Sequence, residues 1–148
     1  MKKVIAIDFG AKRVGLAVSD ETLRFSFERG AILNDSKLQE NIYKFIKDED
    51  ADVIVVGYPL NLKSEKTLQT LEVDNFIERL QSFFLSKKED IKIEIFDERF
   101  TSKMASGYIA SSSMKKSKRQ NKSMIDSISA QIILQDYLDK NINIRNQT

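Results

Sequence analysis

Apolar residues near the amino terminus form two short runs separated by a polar turn. The runs cover residues 4–7 and 14–18, and the turn between them contains Gly10, Lys12 and Arg13. Such an arrangement favours a β-hairpin. In residues 23–32, apolar side chains then alternate with polar ones through Leu23, Phe25 and Phe27, which predicts a third antiparallel strand. We therefore expect the chain to open with a three-stranded meander.

After the third predicted strand, the apolar spacing becomes that of helices alternating with strands. Apolar residues recur every three or four positions over residues 38–46 and 68–84, which predicts two helices. The β-branched run at residues 53–57 and the alternating run at residues 91–96 predict a fourth and a fifth strand. A last helix is predicted from about residue 124 to residue 138.

Together these elements predict an α/β fold that forms one domain over residues 1–148. Because a helix connects each of them to the preceding strand, the fourth and fifth strands are expected to lie parallel to the first. The expected architecture is a mixed five-stranded sheet, with three antiparallel strands followed by two parallel ones and helices on both faces. This arrangement makes the ribonuclease H-like fold the candidate.

Composition narrows the chemistry that the chain can perform. Its 148 residues include no cysteine and no histidine, and 41% of them are hydrophobic. Disulfides, zinc–thiolate sites and nucleophile–histidine pairs are therefore excluded, whereas carboxylates, lysines, hydroxyls and oxygen-bound metals remain. Without a bilayer-length apolar run or a secretory signal, we expect a cytoplasmic protein with no membrane partner.

Three acidic residues fall at one end of the predicted sheet. Asp8 ends the first strand, Glu98 follows the fifth, and Asp126 lies on the inward face of the last helix. Each also has an ordinary structural explanation. Asp8 could accept hydrogen bonds from the amides of the turn that follows it, and Glu98 could be a solvated turn residue. Asp126 could be favoured by the helix dipole at the start of the last helix. Jointly they favour a site for Mg²⁺ or Mn²⁺, which prefer oxygen ligands and promote phosphodiester displacement. A metal-dependent endonuclease is therefore predicted.

Basic residues are concentrated in one serine-rich segment that contains no acidic residue, although the net charge is only +2. This segment predicts either a solvated loop or contacts with phosphate groups, and the lack of interleaved aromatic residues argues against base stacking. Lys12, Arg13 and Arg99 adjoin the proposed acids and are further candidates for phosphate contact. Candidate nucleic-acid contacts within the segment are Lys115, Lys116, Lys118, Arg119 and Lys122.

Four blocks of sequence resemble the YqgF family, the Holliday-junction-resolvase-like proteins also described as pre-16S ribosomal RNA nucleases. The blocks are IDFGAKRVGLAVSD (7–20), VVGYPLN (55–61), DERFT (97–101), and Asp126 with ILQDYLD (133–139). The resemblance implies a ribonuclease H-like nuclease of the bacterial cytoplasm whose acidic triad is Asp8, Glu98 and Asp126. It also implies 5′ processing of pre-16S rRNA or resolution of branched DNA. The chain departs from the family pattern at residues 62–66, where LKSEK replaces a small glycine-rich loop.

Two other classes of function stay open at this point. The chain could be a non-catalytic module that binds RNA or the ribosome. Less favoured is a relative of the actin-like ATPases, whose phosphate loop the turn after Asp8 also resembles. The expected partner is nucleic acid, either a ribosomal RNA precursor or branched DNA, and the protein is expected to be a monomer or a homodimer.

Overall fold

The computed structural model describes residues 2–98 and 122–146, and within the last helix it describes the side chains of residues 125–141. The chain opens with three strands: β1 (Lys3–Phe9), β2 (Arg13–Ser19) and β3 (Ser26–Leu33). Both β1 with β2 and β2 with β3 pair antiparallel. The predicted meander is confirmed.

The rest of the described chain alternates helices with parallel strands. Strand β4 lies parallel to β1, and β5 lies parallel to β4, so the strand order is β3-β2-β1-β4-β5. The prediction of three antiparallel strands followed by two parallel ones is confirmed. The elements are α1 (Leu38–Glu49), β4 (Ala51–Tyr58), α2 (Leu68–Ser86), β5 (Lys92–Asp97) and α3 (Lys122–Asn146).

The two faces of the sheet belong to separate hydrophobic cores. Ile5 and Ile7 of β1 pack with buried residues of α1 and α2. Val4 and Ala6 point to the other face and pack with residues of α3. Helices therefore cover both faces, as predicted. Because side chains alternate along a strand, Asp8 shares the α3 face with Val4 and Ala6.

Strand β3 differs from the sequence expectation in the side chains that it buries. It begins at Ser26, which is buried, whereas Phe25 and Phe27 are 61% and 46% exposed. The hydroxyl of Ser26 donates to the carbonyl of Gln131 at 2.9 Å, and its amide donates to the side chain of Gln135 at 2.9 Å. These hydrogen bonds turn Ser26 toward α3, and alternation then turns both phenylalanines away from it.

Helix α3 covers its face of the sheet with a mixed polar and apolar surface. Ala130, Leu134 and Leu138 are buried against the sheet, while polar residues such as Gln131 and Gln135 bind the edge strand. In the described parts of the chain, α3 and the shorter helices are all too short or too polar to cross a membrane.

Candidate active site

Asp8 lies near the centre of the sheet, at the carboxyl end of β1. In the ladder between β1 and β2 it pairs with Gly15. On its other side, Ile7 pairs with Val56 of β4, so that Gly57 follows beside Asp8. Both neighbours of Asp8 in the sheet therefore lack a side chain, and the α3 face is open on either side of its carboxylate.

Asp126 lies over the gap at Gly15. A Cβ atom built on Gly15 would overlap the carbonyl oxygen of Asp126 and would lie 3.2 Å from the Asp126 Cβ atom. The first turns of α3 thus touch the backbone of β2 where glycine replaces a side chain. This close approach places Asp126 beside Asp8.

Glu98 lies over the corresponding gap at Gly57. A Cβ atom built on Gly57 would lie 2.5 Å from Oε1 of Glu98 and 2.8 Å from Cδ1 of Ile133. The structure therefore brings together all three acidic residues predicted from the sequence. Asp126 lies over β2, Asp8 extends from β1, and Glu98 lies over β4.

The pKa of Asp8 is raised by burial and by the two neighbouring acids. It is raised from 3.8 to about 7, first because burial penalises the charged form and then because Glu98 and Asp126 repel a further negative charge. The side chain of Asp8 forms no hydrogen bond with any residue of the described ranges, so the alternative of bonds from its carboxylate to the turn amides is not observed there. Burial and the two neighbouring carboxylates therefore oppose the ionisation of Asp8.

Arg13 is the cation next to this group, at the start of β2. Its Nε lies 3.5 Å from Oδ2 of Asp126 and, within the described part of the chain, has no hydrogen-bond partner although it is buried. Asn34 fixes the preceding turn, because its Nδ2 donates to the carbonyl of Gly10 at 2.8 Å and its amide donates to the carbonyl of Lys12 at 3.0 Å. Lys12 itself is exposed at that turn.

The donor chemistry of the three carboxylates fits a divalent cation. All of the donors are oxygen atoms, and a cation would favour the charged form of Asp8, whose pKa is raised first by burial and then by repulsion from Glu98 and Asp126. Across residues 2–98 and 122–146, however, no three acidic side chains are arranged closely enough to hold one ion as they stand. The residues therefore fit the ion in type and charge, although the ligand geometry is not formed.

Several of the predicted phosphate contacts lie outside the described residues. This applies to Arg99 and to most of the serine-rich segment, while Lys122 begins α3 with a side chain that is not described. Of the predicted contacts, Lys12 and Arg13 are therefore the two that can be placed relative to the acids. Those not placed are Arg99, Lys115, Lys116, Lys118, Arg119 and Lys122.

Comparison with known proteins relates this geometry to a family. The family model described as RuvX, Holliday junction resolvase, matches residues 2–140. The chain belongs to the RuvX family. The resemblance to the YqgF family in its sequence is thereby confirmed.

Curated relatives of this RuvX-family chain carry a nuclease name. A protein of Flavobacterium psychrophilum is 35% identical over 146 residues, with 96% of this chain and 100% of the relative covered. One of Sulfurihydrogenibium sp. is 39% identical over 140 residues, with 95% and 92% covered. Both are named "Putative pre-16S rRNA nuclease". The family and its relatives together support a nuclease.

Solved structures confirm the ribonuclease H-like fold of the RuvX-family chain. RuvC of T. thermophilus in complex with a Holliday junction substrate matches with a TM-score of 0.60 at 9% identity, with 97% of both chains covered. The fowlpox virus resolvase in complex with Holliday junction DNA matches with a TM-score of 0.58 at 13% identity, with 94% and 98% covered. At such low identity these likenesses concern the fold alone.

Two glycines of this RuvX-family site were not singled out from the sequence. Gly15 and Gly57 make room for Asp126 and Glu98, and each interrupts a β-branched apolar strand. Glycine inside a strand weakens it and often marks a place where another backbone or a ligand approaches closely. That rule was the signal available in the sequence, but it does not tell which residue approaches.

Proposed function

We propose that this protein is a divalent-metal-dependent endonuclease that acts on structured nucleic acid. Asp8, Glu98 and Asp126 are its metal-binding and catalytic carboxylates in this proposal. The observation that carries it is the convergence of these three acids on one sheet face, with the pKa of Asp8 raised to about 7 by burial and by the other two. Like charges collected at a half-buried position favour an enzyme site over a passive surface.

The chemistry divides between the bound ion and the side chains of the protein. Mg²⁺ or Mn²⁺ would supply an activated water and stabilise charge on the oxygens of the phosphodiester. Asp8 must release its proton to act as a ligand, and it stands on the central strand where its position is tightly held. Gly15 and Gly57 let Asp126 and Glu98 approach the sheet beside Asp8. In this proposal Lys12, Arg13 and Arg99 contribute positive charge for the phosphate backbone.

We further propose that the substrate is a ribosomal RNA precursor, cleaved in the 5′ processing of pre-16S rRNA. The support comes from the names of relatives that are 35–39% identical over nearly the whole chain. Branched DNA, which the family description names, is the alternative substrate. The proposal includes a single nuclease domain over residues 1–148, active in the cytoplasm as a monomer or a homodimer.

The test compares cleavage of two substrates by purified full-length protein with Mg²⁺ or Mn²⁺. One substrate is an RNA that spans the 5′ end of pre-16S rRNA, and the other is a four-way DNA junction. Asp8→Asn, Glu98→Gln and Asp126→Asn are each expected to lower the cleavage rate by more than about 100-fold, because loss of a ligand should exceed the effect of losing its outer hydrogen-bond partners. The losses should not add, since the three acids act as a unit.

Asp48→Asn serves as the matched control, because Asp48 is an exposed carboxylate on α1, across the sheet from the site. It should cleave as the wild type does. Near-normal cleavage by one of the three site variants would remove that residue from the site. If wild-type protein binds the RNA and cleaves neither substrate, the non-catalytic module replaces the nuclease, whereas preferential cleavage of the junction selects DNA.

A further inference from the structure

The contact between Arg13 and Asp126 differs from a well-formed ion pair. The separation of 3.5 Å between Nε and Oδ2 exceeds the usual length of about 2.7–2.9 Å for a charge-assisted hydrogen bond. In the described part of the chain, Nε is buried and forms no hydrogen bond. Arg13 therefore compensates the charge of Asp126 without binding it firmly.

The backbone of Arg13 is held so that its side chain stays on the acidic face. Arg13 pairs with Leu33 at the start of β2, and the two hydrogen bonds from Asn34 hold the turn before it. Arg13 lies two residues from Gly15, the partner of Asp8, so it is a diagonal neighbour of Asp8 in the β1–β2 ladder, at about 7–8 Å between Cα atoms. A long side chain at this position reaches either Asp126 or the space above Asp8.

We propose that Arg13 is an internal counter-ion that neutralises Asp126 until a divalent cation binds, and that it then releases Asp126 and presents its guanidinium to the substrate phosphate. This inference rests on the proposed metal-dependent function. Arg13 thereby keeps the metal-free site from carrying three unbalanced carboxylates. On release, it supplies five donors in the fork geometry that suits a phosphate group.

The rival role for Arg13 is to position Asp126 for the metal. The two roles predict opposite signs for the effect of Arg13 on metal affinity. A positioning residue strengthens metal binding, so that its removal weakens binding. A counter-ion competes with the metal for the same carboxylate, so that its removal strengthens binding.

Isothermal titration calorimetry with Mn²⁺ on the full-length protein, without nucleic acid, decides between these roles. We expect Arg13→Gln to bind Mn²⁺ about 10-fold more tightly than wild type. Lys12→Gln is the matched control, because it removes the same charge from the adjacent exposed position, where solvent and salt screen it. It should alter the dissociation constant by less than about 2-fold.

The Arg13→Gln, Asp126→Asn double variant completes the test. If Arg13 acts on the metal through Asp126, then its removal brings no gain once Asp126 is gone, and the double variant binds Mn²⁺ as Asp126→Asn does. If Arg13→Gln binds Mn²⁺ as tightly as wild type or more weakly, while Asp126→Asn binds it less tightly than wild type, then the counter-ion role alone is overturned. Undiminished Mn²⁺ binding by Asp126→Asn removes Asp126 from the metal site and overturns the counter-ion role, whereas the proposed metal-dependent function fails if the wild-type protein itself binds no Mn²⁺.

A second measurement uses wild-type protein and so does not depend on how the variants fold. The ¹⁵N–¹H signal of the Arg13 Nε group should shift during a titration with Mg²⁺, in proportion to the saturation of the site. The same signal should stay in place in Asp126→Asn. A wild-type signal that does not change at saturating Mg²⁺ would show that Arg13 keeps its contact, and it would refute the release of Asp126.

Discussion

Replacement of Asp8 by asparagine should make the metal-free protein more stable at neutral and alkaline pH. The change preserves the volume of the side chain and removes its charge. Burial, Glu98 and Asp126 all disfavour that charge and raise the pKa of Asp8 from 3.8 to about 7. At pH 8 the wild type therefore carries an ionised carboxylate in an environment that disfavours negative charge, whereas the side chain of the variant is neutral.

The size of the effect follows from the shift in pKa. A rise of one unit in the pKa corresponds to about 1.4 kcal/mol. Ionisation of Asp8 therefore lowers the free energy of unfolding by at most about 4 kcal/mol. Solvent reaches the half-buried carboxylate and reduces this value, and we expect about 2–4 kcal/mol. Below pH 3.8, Asp8 is mostly protonated in both the folded and the unfolded protein, and the folded wild type carries no unfavourable charge at this position. As the pH rises from about 4 to about 7, the wild type loses stability because the unfolded protein releases the Asp8 proton first. Above about pH 7 the difference in the free energy of unfolding between variant and wild type should level off.

Urea unfolding of both proteins at pH 4, 6 and 8, in buffers with a chelator, measures this difference. Other titrating groups are common to both proteins and cancel. As a control, the gain from Asp8→Asn should be smaller in an Asp126→Asn background, because one of the repelling charges is already absent. A difference that does not depend on pH, or a variant that is less stable than wild type at pH 8, would refute the reasoning.

Two further predictions concern the glycines of the site and the basic segment. Gly15→Ala should lower the free energy of unfolding by about 3 kcal/mol, and Gly57→Ala by less, because the new methyl group meets the backbone of Asp126 in the first case but largely the movable end of Glu98 in the second. Urea unfolding compares the two, and equal losses would contradict the close approach of α3 to β2. Alanine at the serine-rich basic positions should weaken RNA binding and flatten its log–log salt dependence by about 0.7–0.9 for each lost phosphate contact, whereas Lys44→Ala on α1 should leave the slope unchanged. Titrations at several salt concentrations check this, and an unchanged slope would make the segment a solvated loop; the positions are Lys115, Lys116, Lys118, Arg119 and Lys122.

The spacing of apolar residues was sufficient to predict the elements and their order. Period-two and helical spacing reflect burial of one face of a strand or a helix, and this is a local property of the sequence. A helical connection between strands predicts that they are parallel, and right-handed crossovers then bring Asp8, Glu98 and Asp126 to one end of the sheet. The acidic residues were therefore predictable as a group.

Contacts between segments that are distant in the sequence determine two features that the apolar spacing does not predict, namely the buried face of β3 and the electrostatics of the site. The face that β3 buries depends on hydrogen bonds from Ser26 to Gln131 and Gln135 of α3, more than 100 positions away, and these override the alternation of the phenylalanines. The same holds within the site. The pKa of Asp8 and the loose pairing of Arg13 with Asp126 arise from burial and from charges that only the packing of α3 on the sheet brings together, because electrostatic interactions depend on distance in space rather than on position along the chain.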